Sequence, residues 1–288
     1  MPSDYLMSIN QAINYIYQNL DKSLTVEEIA EQCCFSKYYF NRVFKLTVGQ
    51  NIYSFIKRIK LESAAFKLRA AKSRPITTIA IESGYSPSNF ASAFKQYFDV
   101  SASDYRKMND VPFKDSFAAV AEHIRNMKKD EHAFEEISAK MRIKRIEGMN
   151  LMYKRVICNY TRDLKEAWDL FCKEMEKQCL LDKDYLFVGI SYDDPLIANE
   201  DHCMYDMCIA VDKPTSVNVH RIPSGLYACY DFYDKLNKFI LAFNEIVSLW
   251  LPYCQYKLDN RPMLEIYHSE IDDRGNIRAE ICIPIQES

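Results

Sequence analysis

The sequence predicts a multidomain chain: an all-α double helix-turn-helix domain followed by an α+β domain of two pseudo-symmetric strand-helix-strand-strand halves. Three observations lead there. First, the segment 29–45 recurs 50 residues later at 79–95. Ile29/Ile79, Ala30/Ala80, Ser36/Ser86, Phe40/Phe90, Phe44/Phe94 and Lys45/Lys95 are identical, and Phe35/Tyr85 and Phe55/Tyr105 keep an aromatic ring in register. Second, apolar residues recur at helical spacing up to about Ala139, and beyond it in alternating runs separated by helical ones. Third, charge divides with the pattern. Residues 1–108 hold 14 Lys+Arg against 9 Asp+Glu, a net of +5, and the remainder holds 23 against 31, a net of −8, within an overall −3. A basic part joined to an acidic part implies a phosphate-binding domain with a partner domain that does something else.

Ile9, Ile13, Ile16, Tyr17 and Leu20 form the stripe of a first helix. Thr25 and Glu28 make a capping box that opens a short helix with Val26, Ile29 and Ala30 inward. A turn at 33–35 follows, and Ser36 is the N-cap of a second helix whose core face is Phe40, Val43 and Phe44. Asn51 starts a long helix to about Ala71, and Pro75 suits the first position of the next short one. Gly84-Tyr85 makes a second turn, Ser86-Pro87 an N-cap followed by proline, and 101–108 a closing helix. Residues 109–138, polar apart from 117–120, read as a linker containing a helix. Residues 139–288 follow as the second domain. Strands are expected at 141–146, 152–157, 185–192 and 204–211 around a helix at 164–180. A second round gives strands at 217–222, 226–232, 263–268 and 277–285 around a helix at 235–250. Two strand-strand-helix-strand-strand units in succession imply internal pseudo-symmetry.

The composition is that of a globular chain. Its 288 residues suit about two domains, and 48% apolar residues are ample for their cores. No run of ~18 apolar residues offers a membrane span. The opening Met-Pro-Ser-Asp-Tyr lacks the basic and apolar regions of a signal peptide, so a cytoplasmic location is expected. The 10 cysteines are scattered, with one adjacent pair (Cys33-Cys34) and no Cys-x-x-Cys, which indicates neither a metal site nor a disulfide framework, and no cofactor is implied.

A helix-turn-helix present twice suggests a protein that reads two neighbouring stretches of one duplex. The connecting helix of ~20 residues spans ~30 Å, close to the ~34 Å between successive major-groove segments. With the apolar positions inward, Lys37, Tyr38, Asn41, Arg42 and Lys45 face outward on the first recognition helix, and Pro87, Ser88, Asn89, Ser92 and Lys95 on the second. Arg can fork to guanine and Asn to adenine. The second set lacks an arginine and suits backbone positioning better than base discrimination.

Ser36–Lys45 and Ser86–Lys95, with 99–106 behind them, resemble the AraC/XylS family of bacterial transcription regulators. Its most specific segment is Ile79-Ala80-x-x-x-Gly84-Tyr85-x-x-x-x-x-Phe90-x-x-x-Phe94-Lys95, and the likeness covers residues 5–108. One departure is Ala102, where the family usually has proline. The resemblance implies double-stranded promoter DNA as partner, base contacts from Tyr38, Asn41 and Arg42, and RNA polymerase as a further partner.

In residues 139–288 an ordered set of strings resembles the GyrI-like effector-binding domain. They are Lys165-Glu166-Ala167-Trp168, residues 189–195, Tyr205-Asp206, residues 222–228, Trp250-Leu251-Pro252, Leu264-Glu265-Ile266-Tyr267 and residues 280–284. The resemblance implies two fused strand-helix-strand-strand halves and a small-molecule effector, apolar and often cationic, held by an acidic residue among aromatics. From the residues themselves, strand alternation puts Glu265 and Tyr267 on one face, Leu264 and Ile266 on the other. A carboxylate beside rings suits a cation that also stacks, and Trp168, Tyr192, Tyr205 and Trp250 are the aromatic candidates. The expected protein is a one-component regulator and not an enzyme, since no Ser-His-Asp, Cys-His, phosphate-loop or metal spacing occurs. The alternatives are a hydrolase of reactive small molecules, with Glu265 and a tyrosine as base and acid, and a protein-sequestering module.

Overall fold

The capping signals of the first domain decide where its helices begin. Thr25 Oγ1 accepts from the Glu28 amide while Glu28 accepts from the Thr25 amide, so the box opens α2 (Val26–Gln32) behind α1 (Ser3–Gln18). α3 (Lys37–Val48), α4 (Ile52–Ala70), α5 (Ile76–Glu82), α6 (Pro87–Phe98) and α7 (Ala102–Lys107) complete it. The computed structural model describes residues 3–108, 117–177, 185–213, 218–269 and 271–287. It divides into two units, Met1–Met108 and Asn109–Ser288. The start of the expected linker (109–116), the end of the helix expected to reach residue 180, and residue 217 lie outside the described residues.

The sequence repeat becomes a repeated aromatic spine. In the first copy Phe35, Phe40, Phe44 and Phe55 follow one another at centroid distances of 6.3, 5.8 and 5.3 Å. In the second Tyr85, Phe90, Phe94 and Tyr105 do so at 6.1, 5.4 and 5.4 Å. Phe40, Phe44, Phe55, Phe90 and Phe94 are fully buried, each worth up to about 3 kcal/mol. Pro75 sits at the N-cap of α5, one residue before the expected first helical position. This leaves α5 the same seven residues long as α2, its counterpart.

In the second unit the strand pairing realises the pseudo-symmetry read from the sequence. The strands are β1 (Met141–Ile146), β2 (Met149–Cys158), β3 (Phe187–Ser191), β4 (Cys203–Val211), β5 (Val219–Ile222), β6 (Gly225–Lys235), β7 (Lys257–Leu258), β8 (Leu264–Tyr267) and β9 (Asn276–Gln286). They run in the order β1-β6-β9-β8-β3-β4-β2-β5, all neighbours antiparallel, with the short β7, which the sequence did not announce, beside β9. Exchanging β1 with β5, β2 with β6, β3 with β8 and β4 with β9 reads the same order backwards. A pseudo-twofold therefore passes through the β3–β8 pair, and each half lends its first strand to the other, β1 to β6 and β5 to β2.

One sheet face is buried mainly by strand residues, Ile146, Leu151, Val188, Cys208, Ile222, Tyr227, Leu264 and Cys282 sharing one cluster, with the loop residue Arg261 over the Tyr227 ring. The other face is covered by α10 (Leu164–Lys177), whose Phe171 and Met175 pack on Met152, Tyr205, Met207 and Ile209. In the second half α11 (Phe239–Glu245) contacts β6 and runs into a π-helical turn, Ile246–Trp250, all of it buried. The stretch read as a linker holds two helices, α8 (Ala118–Met127) and α9 (Ala133–Lys140). Both pack on that turn, helped by His123 Nε2 on Glu245 Oε1 at 2.7 Å and Lys140 Nζ donating to Tyr230 Oη at 3.1 Å.

Candidate DNA interface and effector site

α3 presents Tyr38, 86% exposed, with Arg42 and Lys45 also exposed and Asn41 half-buried beside them. Lys37 differs from its neighbours. Its Nζ donates to Glu27 of α2, so the charge that the sequence aims outward is tied to its own domain. On α6, Pro87, Ser88, Asn89, Ser92 and Lys95 are all exposed. The Ser92 hydroxyl donates back to the Ser88 carbonyl at 3.3 Å, and Ser88 Oγ lies 3.4 Å from Ser86 Oγ. The hydroxyls of α6 are thus engaged with their own helix, whereas Tyr38 and Arg42 are exposed on α3. Leu46 and Tyr53, 65% and 56% exposed, add apolar surface that helical periodicity alone did not single out.

In the second unit Gly189 and Glu265 are register partners on the central β3–β8 pair. Glu265 is buried and its Oε2 accepts from Tyr205 Oη at 2.6 Å and Tyr267 Oη at 2.8 Å, the two hydroxyls lying 3.1 Å apart. Burial drives the Glu265 carboxyl up from the usual range, and the hydrogen bonds from Tyr205, Tyr267 and Ser191 restrain that rise. Burial, followed by the charge on Glu265, also lifts the Tyr205 and Tyr267 hydroxyls well above 10, so both remain donors. Gly189 makes the group possible. A Cβ there would lie 1.8 Å from Tyr205 Oη and 2.8 Å from Glu265 Oε2.

Trp168 of α10 caps the group, its ring edge-on to Tyr267 at 5.4 Å and Tyr205 at 6.2 Å, with Phe171 and Phe187 alongside. Its indole N–H is buried and has no acceptor among the described residues, a state that costs about 1–3 kcal/mol. Tyr160 closes one side, its ring 5.6 Å from Tyr205. A buried carboxylate and two hydroxyls thus meet beneath aromatic edges.

The structure joins four of the six residues expected there, Glu265, Tyr267, Trp168 and Tyr205. Trp250 takes part in none of these ring contacts and belongs to the π-helical turn under α8 and α9. Tyr192 lies on the opposite face, where its hydroxyl donates to Asp206 Oδ2 at 2.8 Å. The reason is strand alternation along β4: Tyr205 points to one side, so Asp206 points to the other. Asp206, fully buried, is also gripped in two-point fashion by Arg155 at 2.7 Å and by His220 Nε2 at 2.7 Å. Burial pushes its carboxyl up, but the charges and hydrogen bonds of Arg155 and His220 prevail and hold it below the usual range. The second half repeats this in weaker form, with Lys144 of β1 donating to Glu280 at 2.6 Å. Gly189, Ser191 and Tyr160 were not anticipated, because their roles depend on which strands become neighbours.

Comparisons with known proteins agree with this division. Residues 14–108 match a helix-turn-helix domain family and residues 139–286 the GyrI-like small molecule binding domain family. Regulatory protein SoxS of Escherichia coli is 34% identical over 99 residues, covering 34% of this chain and 92% of SoxS. The multiple antibiotic resistance protein MarA of the same species is 31% identical over 104 residues, 36% of this chain and 81% of MarA. Among solved structures, the C-terminal domain of the response regulator AraT from Geobacillus stearothermophilus is 31% identical, covering 35% of this chain and 84% of that one, with a TM-score of 0.34. The chain belongs to the AraC-type helix-turn-helix regulators and, through its second half, to the GyrI-like family. It is a DNA-binding transcriptional regulator with a small-molecule binding domain.

Proposed function

We propose that this regulator responds to an apolar organic cation held at Glu265, and that α3 supplies the base discrimination on DNA. The observation that carries the effector reading is the buried Glu265 carboxylate under Tyr205, Tyr267 and Trp168. A carboxylate hydrogen-bonded to hydroxyls but facing no cation among the described residues is unfavourable in its charged form in so dry a place, and a cation is the ligand that reverses this. The ring edges supply apolar contact, and the free indole N–H prefers a ligand that also carries an acceptor. For DNA, Tyr38, Asn41 and Arg42 read bases, while Lys45 and Lys95 neutralise phosphates and Pro87, Ser88, Asn89 and Ser92 seat the second helix. The protein acts in the cytoplasm, meets RNA polymerase at its promoters, and binds its ligand without turning it over. A ligand acts on transcription only through a difference in affinity between the DNA-competent and DNA-incompetent states.

Calorimetry with tetraphenylphosphonium and with the neutral triphenylphosphine oxide tests the effector reading. Wild type should bind the cation at least about tenfold more tightly than the neutral compound, and Glu265→Gln should erase that preference. Equal binding of both compounds, unchanged by the substitution, would refute it, and steady consumption of ligand would favour the hydrolase. The pH dependence has a definite sign. Because the folded Glu265 carboxyl titrates above its unfolded value, its stability contribution is complete below the unfolded pKa and is lost as pH rises through the folded one. Glu265→Gln should therefore melt at or above the wild-type temperature at neutral pH, while cation affinity in the wild type strengthens as pH rises through that range.

A further inference from the structure

α4, the helix between the two groove readers, buries an unusual number of charged side chains: Arg58, Lys60, Glu62 and Arg69. Three of its side chains bind partners within one half or along the helix itself. Arg58 reaches Glu62 at 2.8 Å, Glu62 accepts from Tyr97 of α6 at 2.7 Å, and Lys57 donates to Gln96 of α6 at 3.0 Å. Lys60 touches both halves. Its Nζ donates to the Lys22 carbonyl, in the turn after α1, at 2.6 Å, and stands 5.7 Å from the centre of the Tyr85 ring, in the turn before α6.

Both sides of that contact are tied by hydrogen bonds of their own. The turn after α1 is tied by the Lys22 amide on the Asn19 carbonyl at 3.0 Å and by Lys22 Nζ on Asn19 Oδ1 at 2.7 Å. Tyr85 is held by its amide on the Ala80 carbonyl at 3.0 Å. Gly84 completes the joint. A Cβ there would lie 2.4 Å from Lys60 Nζ, 2.8 Å from the Lys22 oxygen and 2.9 Å from the Leu20 oxygen, so the halves meet at backbone distance only because this residue has no side chain. An apolar contact can slide by an ångström without losing much area, but an ammonium removed from water must keep its acceptor.

We propose that Lys60 is a positioning residue for DNA recognition: by bridging the Lys22 carbonyl and the Tyr85 ring it fixes the separation of α3 and α6 and makes the protein selective for the spacing between its two half-sites. One added base pair moves a half-site by about 3.4 Å and rotates it by roughly 35°, a displacement that a joint locked at Lys60 does not follow. The inference rests on the reading of α3 and α6 as two groove readers.

The test selects an operator from a random-sequence duplex pool with the full-length wild-type protein. Affinities are then measured for that duplex, for versions with one base pair added or removed between the half-sites, and for a duplex carrying one half-site. Lys60→Met keeps the buried stem and removes the ammonium. It should bind the single half-site within about twofold of wild type, lose roughly tenfold on the native spacing, and flatten the preference for that spacing over its neighbours. Lys60→Gln, which retains a donor in the same place, should fall between the two and stands in if Lys60→Met does not melt cooperatively. A parallel loss on half-site and full site would reduce Lys60 to a fold-stabilising residue, and an unchanged spacing profile would overturn the proposal. Enrichment of no sequence by wild type would overturn the two-reader reading and this inference with it.

Discussion

The two helix-turn-helix copies share one spine and differ at the turn. Their aromatic ladders run through matching positions at similar centroid distances, yet the left-handed turn residue is Cys34 (φ 57°) in the first copy and Gly84 (φ 70°) in the second. Cys34 is exposed at its turn, while Gly84 is wedged against Lys60 and two carbonyls. Their outward faces diverge in the opposite sense, the first carrying Tyr38 and Arg42 and the second mainly short hydroxyl and amide side chains. The two copies share the buried spine, which any such unit needs, and differ at the turn and the outward face. On the proposed reading, the first copy is the reader and the second the joint.

Gly84→Ala attacks the joint most directly. A side chain at positive φ is strained and would also displace Lys60, so unfolding should become easier by at least about 2 kcal/mol in urea titrations. A change under half of that would mean the joint yields. Next in size is the contrast between readers. Arg42→Ala should weaken operator binding by about 1–3 kcal/mol, roughly ten- to a hundredfold, whereas Ser92→Ala should stay within about threefold in the same footprinting titration. The assignment of roles fails if Ser92→Ala is the more damaging.

The caps come third. Ser86 accepts from the Asn89 amide at 3.3 Å, but Ser36 makes no side-chain cap bond. Ser86→Ala should thus cost about 1 kcal/mol and Ser36→Ala only a few tenths, and equal losses in thermal melts would erase this difference between the copies. The smallest effect is a gain. Cys34→Gly relieves a left-handed non-glycine residue against the greater chain entropy of glycine, for a net stabilisation of up to about 1 kcal/mol. A loss on this substitution would show that the thiol holds its turn.

The halves of the sheet repeat the lesson. Gly189 and Glu265 occupy facing positions on the central pair, one supplying room and the other a charge. Asp206 with Arg155 and His220, and Glu280 with Lys144, show symmetry-related places filled by unequal ion pairs, the first deeply buried and the second partly exposed. Pseudo-symmetry supplies the frame, and departures from it supply the site.

Much of this was legible in the linear chain because the signals are local. The capping box at Thr25 and Glu28, the proline after Ser86, the apolar spacing of Phe40, Val43 and Phe44, and the alternation of Leu264, Glu265, Ile266 and Tyr267 each act within a few residues. They fixed helix ends, inward faces and the side of β8 on which the carboxylate stands. The swapped pairing of β1 with β6 and β5 with β2, the docking of α8 and α9 on the second unit, and the placing of Tyr192 and Trp250 away from Glu265 were decided by tertiary structure. So were the meeting of Gly189 with Tyr205 and Glu265, and of Lys60 with Lys22 and Tyr85. The physical reason is common to all of them. A side chain's periodicity tells which way it points from its own element, but a buried charge, hydroxyl or glycine acquires its role from the neighbour that long-range pairing brings within about 3 Å.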